Sequence, residues 1–232
     1  MCPATNRTSV LNERTNERTN SCPTDDPCPA ADIAGAPVHY PSGITLFRQD
    51  DPVRVLYLID AGVVRLSRRD GSHQLLIGLR SAGWLLGTSA AILARVHPVT
   101  ATTLGECRLR QVPLAAFLPK CAEPALAAWL LRMQARKALD HLTTLGVFGL
   151  SHPRPRLEYL LSRLLFACGT LCADGSMKLV ARLTHEDYAE AIGTSREYVT
   201  RLLAQLCREG VLQKSNGWLI ATKGSSLMRP VD

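Results

Sequence analysis

The stretch "LTHEDYAEAIGTSREYVTRLLAQLCREGVL", residues 183–212, decides the architecture. Thr184 stands before an apolar-periodic run with Asp187 three residues on, an arrangement in which a hydroxyl caps a helix and an acid returns the bond. This predicts a helix of about seven or eight residues that carries the small Ala189 and ends at Gly193. Ser195 then caps a second helix. Its Val199, Leu202, Leu203 and Leu206 share one side, whereas Arg196, Glu197, Thr200 and Arg201 fall within roughly 140° of one another, at ~100° of rotation per residue. Two helices around a glycine turn, with a small residue where they cross, form a helix-turn-helix. "GVLQKSNGWLIA", residues 210–221, adds strand, Ser-Asn-Gly turn and strand, the wing of a winged variant.

A charged helix face is commonly just solvated, but this one opens the second helix of such a motif. There the N-terminal residues meet base edges in the major groove of double-stranded DNA. Arginine donates two hydrogen bonds to guanine O6 and N7, and glutamate accepts from cytosine N4. The base-contact candidates are therefore Arg196, Glu197, Thr200 and Arg201, and the helix N-terminus itself favours phosphate.

Composition is consistent with a nucleic-acid partner. The 232 residues carry a formal charge of +7, and 46% of them are hydrophobic, enough for two modest cores. No apolar run reaches the ~18–20 residues of a membrane span, and the polar first thirty residues or so have no signal-peptide core, so a cytoplasmic protein is expected. In a reducing cytosol the eight cysteines are not expected to form structural disulfides. Their spacings fit no standard zinc pattern, so no metal site is assigned. His141 and His152 are isolated, and no nucleophile–base pair or phosphate loop is visible, which argues against an enzyme.

Residues 1–36 read as a disordered tail, with the polar tandem repeat "LNERTNERTN" followed by proline- and acid-rich sequence. From Tyr40 to about Pro119, short strand-like runs broken by turns, with a hairpin at Asp70-Gly71, indicate an antiparallel barrel or sandwich. After Pro119 the period becomes helical. Leu131, Ala135, Ala138, Leu142 and Leu145, spaced four, three, four and three, form a heptad seam for a second helix, while another face can pack on the chain's own strands. Gly146, Gly149 and "SHPRP" are expected to break this helix, which makes residues 146–155 a hinge candidate. The chain is thus predicted to be an α+β protein. It divides into a tail (1–36), a β-roll (37–120), a long helix with hinge (121–150) and a winged helix-turn-helix domain (151–232).

The helix-turn-helix stretch resembles that of the CRP/FNR family of bacterial transcription regulators. "YPSGITLFRQDD", "LYLIDAGVVRL" and "AGWLLG" are similar to its cyclic-nucleotide-binding β-roll, in family order. The resemblance implies a homodimer through the long helix, a two-fold symmetric operator and RNA polymerase as a further partner. It also implies that Arg196, Glu197 and Arg201 read TGTGA- or GTGA-like half-sites, with Thr184, His185 and Ser195 on phosphates.

The sensor departs from the best-known branches. Members that bind cyclic AMP carry Gly-Glu-Leu and Arg-Ser, where this chain has Gly87-Thr88-Ser89 and His97-Pro98. Gly87, Thr88, Ser89 and His97 are therefore the effector-pocket candidates, and losing the charged partners argues against cyclic AMP. The iron–sulfur branch uses four thiolates. Cys22 and Cys28 match part of its pattern, Thr19 replaces a ligand, Cys2 is a stand-in and Cys107 aligns about three residues early. The haem branch needs an N-terminal proline, present as Pro3, and a histidine that His73 and His97 do not supply in place. The cofactor stays unassigned, with a cluster- or haem-bearing regulator, or a sensor module acting through protein contacts, as alternatives.

Overall fold

The computed structural model describes residues 27–71, 73–150, 152–180 and 183–229. The N-terminal domain is built from β1 (Val38–Tyr40), β2 (Thr45–Phe47), β3 (Val55–Ala61), β4 (Val64–Asp70), β5 (His73–Arg80), β6 (Leu85–Leu86), β7 (Thr100–Thr103) and β8 (Cys107–Pro113), with a short helix α1 (Thr88–Ile92) after β6. These strands form two four-stranded antiparallel sheets, ordered β1-β8-β3-β6 and β2-β7-β4-β5. Alternation drives the packing: Leu56 and Leu58 of β3 and Cys107 and Leu109 of β8 point inward, with half-buried or exposed residues between them. Consecutive strands β3 and β4 belong to different sheets, and Gly62 makes the crossing at φ 91°. A Cβ there would meet the Glu106 carbonyl at 2.5 Å and Cys107 Sγ at 2.7 Å.

Helix α2 (Leu114–Lys120) leads into α3 (Pro124–Leu150), a 27-residue helix. Its Leu126, Trp129, Leu130 and Met133 are buried in the β-roll core. Its other face bears the expected seam: Leu131, Leu142 and Leu145 are exposed large apolar residues, and Ala135 and Ala138 are exposed between them. The hinge expectation is corrected in part. The helix runs through Gly146 and Gly149 to Leu150, and α4 (Pro153–Cys168) starts at Pro153. An interior glycine lowers helix stability by ~1 kcal/mol relative to alanine but does not by itself break the ladder.

The tail expectation is also corrected at its C-terminal end. Pro29–Ile33 is a 3-10 turn whose Ala30 is fully buried and whose N-cap Cys28 is nearly so, both packed into the β-roll core. The Gly35 N–H donates to the Gln111 carbonyl at 2.8 Å. The small, apolar Cys28 and Ala30 fit under α3, which the proline- and acid-rich composition masked. Residues 1–26 lie outside the described residues.

The C-terminal domain comprises α4, β9 (Gly169–Leu171), β10 (Met177–Leu179), α5 (His185–Ile192), α6 (Arg196–Arg208), β11 (Leu212–Ser215) and β12 (Trp218–Ala221). Its four strands form one sheet, ordered β11-β12-β10-β9. Its core of Leu157, Leu161, Leu164, Ile192, Leu203 and Leu206 also takes in Val63 and Leu79 from the β-roll. The two domains are therefore packed together, and Arg65 of β4 reaches Asp187 of α5 at 3.2 Å.

Candidate nucleic-acid interface and effector pocket

Local sequence builds the reading head. The Thr184 hydroxyl accepts from the Asp187 N–H while the Asp187 carboxylate accepts from Thr184, the reciprocal box that starts α5. Gly193, at φ 66°, makes the turn, and the Ser195 hydroxyl accepts from the Tyr198 N–H to start α6. Val199, Leu202, Leu203 and Leu206 are buried, which fixes the rotation of α6 and leaves Arg196, Glu197, Thr200 and Arg201 exposed. The Arg201 guanidinium lies 5.2 Å from the Tyr198 ring centroid. Bonds from its own backbone N–H and from Ser195, with Arg196 and Arg201 nearby, hold the Glu197 carboxyl below its usual range, so it is an ionised acceptor at neutral pH.

Thr200 differs from its three neighbours. Its hydroxyl donates to the Arg196 carbonyl at 2.9 Å, and His185 Nδ1 sits 2.7 Å away in a hydrogen bond whose direction follows the imidazole tautomer. Burial, and then Lys214 and Arg196, lower the His185 pKa, which keeps the imidazole neutral at pH 7. The wing's Asn216 and Gly217 both have positive φ, the backbone that a tight hairpin turn requires.

The second site is a cavity of about 50 Å³ between the β6–α1 turn and α3. Gly87, Thr88, Ser89 and His97 all line it, so the structure brings the four pocket candidates together. His97 is buried and stacked on Phe47, with ring centroids 3.8 Å apart. The lining residues that were not anticipated include Arg80, Trp84 and Lys137. Lys137 Nζ donates to Ser89 Oγ at 2.8 Å, and Gln134 bonds both Thr88 and Ser89. Burial, with Arg80 close by, pushes the Lys137 pKa down to about 8. Arg80 is 1% exposed, and its guanidinium lies 4.4 Å from the Trp84 ring centroid and 3.0 Å from Asp140. A Cβ at Gly78 would meet that guanidinium at 2.9 Å, which explains a glycine inside β5. The linear signal for Lys137 and Asp140 lay in α3, where both continue the buried spacing of Leu126, Leu130 and Met133 with charge in place of an apolar residue.

Among the cluster candidates, Cys2 and Cys22 lie outside the described residues. Cys107 is buried, its thiol pushed up by burial while donating to the Val63 carbonyl at 3.2 Å. Among the described residues, no three His, Cys, Asp or Glu side chains are placed to hold a metal ion.

Residues 37–123 match the cyclic nucleotide-binding domain model and residues 155–227 the Crp-like helix-turn-helix domain model. The chain is 30% identical to a global nitrogen regulator from Nostoc over 172 residues, covering 70% of this chain and 74% of the relative. The chain belongs to the CRP/FNR family of transcription regulators. Another relative is a CRP-like cAMP-activated global transcriptional regulator of Mycobacterium tuberculosis, 27% identical over 83% of this chain and 87% of its own length. Among solved structures, a CRP/FNR-family transcriptional regulator from Thermus thermophilus superposes with a TM-score of 0.69 at 21% identity, covering 83% of this chain and 96% of the other. As a CRP/FNR-type transcription regulator, the chain carries a DNA-binding helix-turn-helix below an antiparallel β domain and a long helix, and its relatives are regulators rather than enzymes. No single helix among the described residues is long and apolar enough to cross a membrane.

Proposed function

We propose that the protein acts in the cytoplasm as a homodimer that reads a two-fold symmetric operator with TGTGA- or GTGA-like half-sites, with RNA polymerase as a further partner. The observation that carries this reading is the exposed trio Arg196, Glu197 and Arg201 on the opening turns of a helix whose other face is buried. Thr184, His185 and Ser195 are assigned to phosphates. The exposed stripe Leu131, Ala135, Ala138, Leu142 and Leu145 supports dimerisation through α3, because an apolar heptad face in water favours a second copy. Labour divides between residues 37–120 as sensor, 121–150 as dimer helix and 151–232 as reading domain.

Cyclic AMP is not the controlling ligand in this reading. The pocket lining contains no carboxylate to accept ribose hydroxyls, and its volume of about 50 Å³ is far below the ~300–1,000 Å³ of typical small-molecule sites. Fluorescence anisotropy with a palindromic GTGA duplex and a scrambled control, at one fixed salt concentration, tests the proposal. The expected outcome is operator preference without cyclic AMP, and equal affinity for both duplexes would sink it.

A further inference from the structure

Arg201 stands between two neighbours on the surface of α6. Glu197 lies four residues before it and Tyr198 three, so both flank the guanidinium, about 40° and 60° away around the helix at ~100° per residue. A glutamate four residues ahead of a cation is a favoured spacing for a helical ion pair. Arg201 does help to hold the Glu197 carboxyl below its usual range. Yet among the described residues no hydrogen bond or ion pair joins the two, and the guanidinium lies instead 5.2 Å from the Tyr198 ring centroid. Tyr198 is 36% exposed, with its backbone N–H held by the Ser195 hydroxyl at 3.2 Å. The core does not need its ring, because Val199, Leu202, Leu203 and Leu206 close α6 from the other side.

An exposed helical ion pair is a weak contact that salt screens, whereas the face of a tyrosine attracts a guanidinium with similar or greater strength. The two therefore compete for Arg201. A closed Glu197–Arg201 pair would occupy the donors meant for guanine and the acceptor meant for cytosine with each other. The geometry points to Tyr198 as a positioning residue: its ring holds the Arg201 guanidinium off Glu197, so that both stay open to base edges. This rests on the operator reading proposed above and adds a specificity determinant to it. Arg196 lies about 160° around the helix from Tyr198, so its contact is not set by the ring.

The test uses the full-length protein and competition binding at one salt concentration, with the palindromic GTGA duplex and duplexes changed at single base pairs. Arg196→Ala and Arg201→Ala assign the base pair that each arginine reads. Tyr198→Ala is expected to lower preference about 2- to 5-fold at the Arg201 base pair, with preference at the Arg196 base pair and Tm unchanged. Tyr198→Phe keeps the ring face and should behave as wild type. Adding Glu197→Gln to Tyr198→Ala should restore preference at the Arg201 base pair, because no carboxylate is left to capture the guanidinium. Without DNA, an NMR titration of the Glu197 carboxyl should show its pKa falling further in Tyr198→Ala and not in Tyr198→Phe. An unchanged Glu197 titration in Tyr198→Ala would overturn the inference. So would an equal loss at the Arg196 base pair, a Tyr198→Phe variant as weak as Tyr198→Ala, or no restoration by Glu197→Gln. In a protein that prefers the GTGA duplex, unchanged preference in Tyr198→Ala would overturn it as well. The expected Glu197 titration in a protein without GTGA preference would uphold the positioning and fail the operator reading alone.

Discussion

Arg196 and Arg201 stand in water at the start of α6, while Arg80 is sealed between Trp84, the β5 backbone and Asp140. The two ends of the molecule therefore hold positive charge in opposite ways. An exposed guanidinium is hydrated and can wait without an ionic partner, so a reading face is made ready by contacts within its own helices. A buried guanidinium must be neutralised in place, which ties it to whatever supplies the acid. At the pocket that acid is Asp140, and it also holds Arg163. The reading end is local and modular; the pocket end couples three elements.

The largest expected effect follows from removing the shared acid. Asp140→Asn leaves Arg80 and Arg163 without their carboxylate, and breaking a buried pair costs ~3–5 kcal/mol, measured by urea unfolding at pH 7. Burial opposes ionisation of Asp140, but hydrogen bonds and charge from Arg163, with Arg80, win and hold its pKa below the usual value. A depressed carboxyl contributes stability that is present above its unfolded pKa of ~3.9 and is lost as pH falls through the folded value. The gap between wild type and Asp140→Asn should therefore close below about pH 4. A gap that is constant from neutral to strongly acidic pH would show that ionisation is not what Asp140 contributes.

Next is the seam on α3. Replacing Leu142 and Leu145 together with glutamate should yield a folded monomer by sedimentation. Operator affinity should fall about 100-fold or more, because two half-sites are then no longer engaged by one linked pair of reading heads. A dimer that survived this change would place the interface elsewhere. At the reading end, Arg196→Ala should remove ~1–3 kcal/mol of discrimination at one base pair of each half-site while leaving Tm unchanged. Unaltered base preference in competition binding would remove Arg196 from the readout.

What could be read from the chain follows the same contrast. Thr184 with Asp187, Gly193, and Ser195 with the Tyr198 N–H act within a few residues, so helix starts, turn and exposed face were legible from spacing. The pocket candidates Gly87, Thr88, Ser89 and His97 were placed by resemblance, and they do converge. Arg80 was not legible because its acid lies 60 residues away on another element, and Lys137 needed the three-dimensional neighbours of α3. The tail was misjudged at Ala30 for a related reason: its burial comes from the core that closes over it, not from its proline-rich setting. Gly146 and Gly149 read as breakers, yet an uninterrupted ladder carried them.

The smallest effect separates Thr200 from the arginines beside it. Its single hydroxyl proton goes to the Arg196 carbonyl, with His185 Nδ1 2.7 Å away on the same oxygen, so it has no donor left for a base edge. Thr200 is nevertheless exposed. Thr200→Val retains the methyl and drops both bonds. The expected cost is ~0.5–1.5 kcal/mol of stability, lowered further in effect by exposure to water. Base preference should be unchanged in the same competition binding that reports Arg196→Ala. A shift in preference at any position would restore Thr200 to the readout as a polar contact and would mean that its hydroxyl leaves Arg196 when DNA binds.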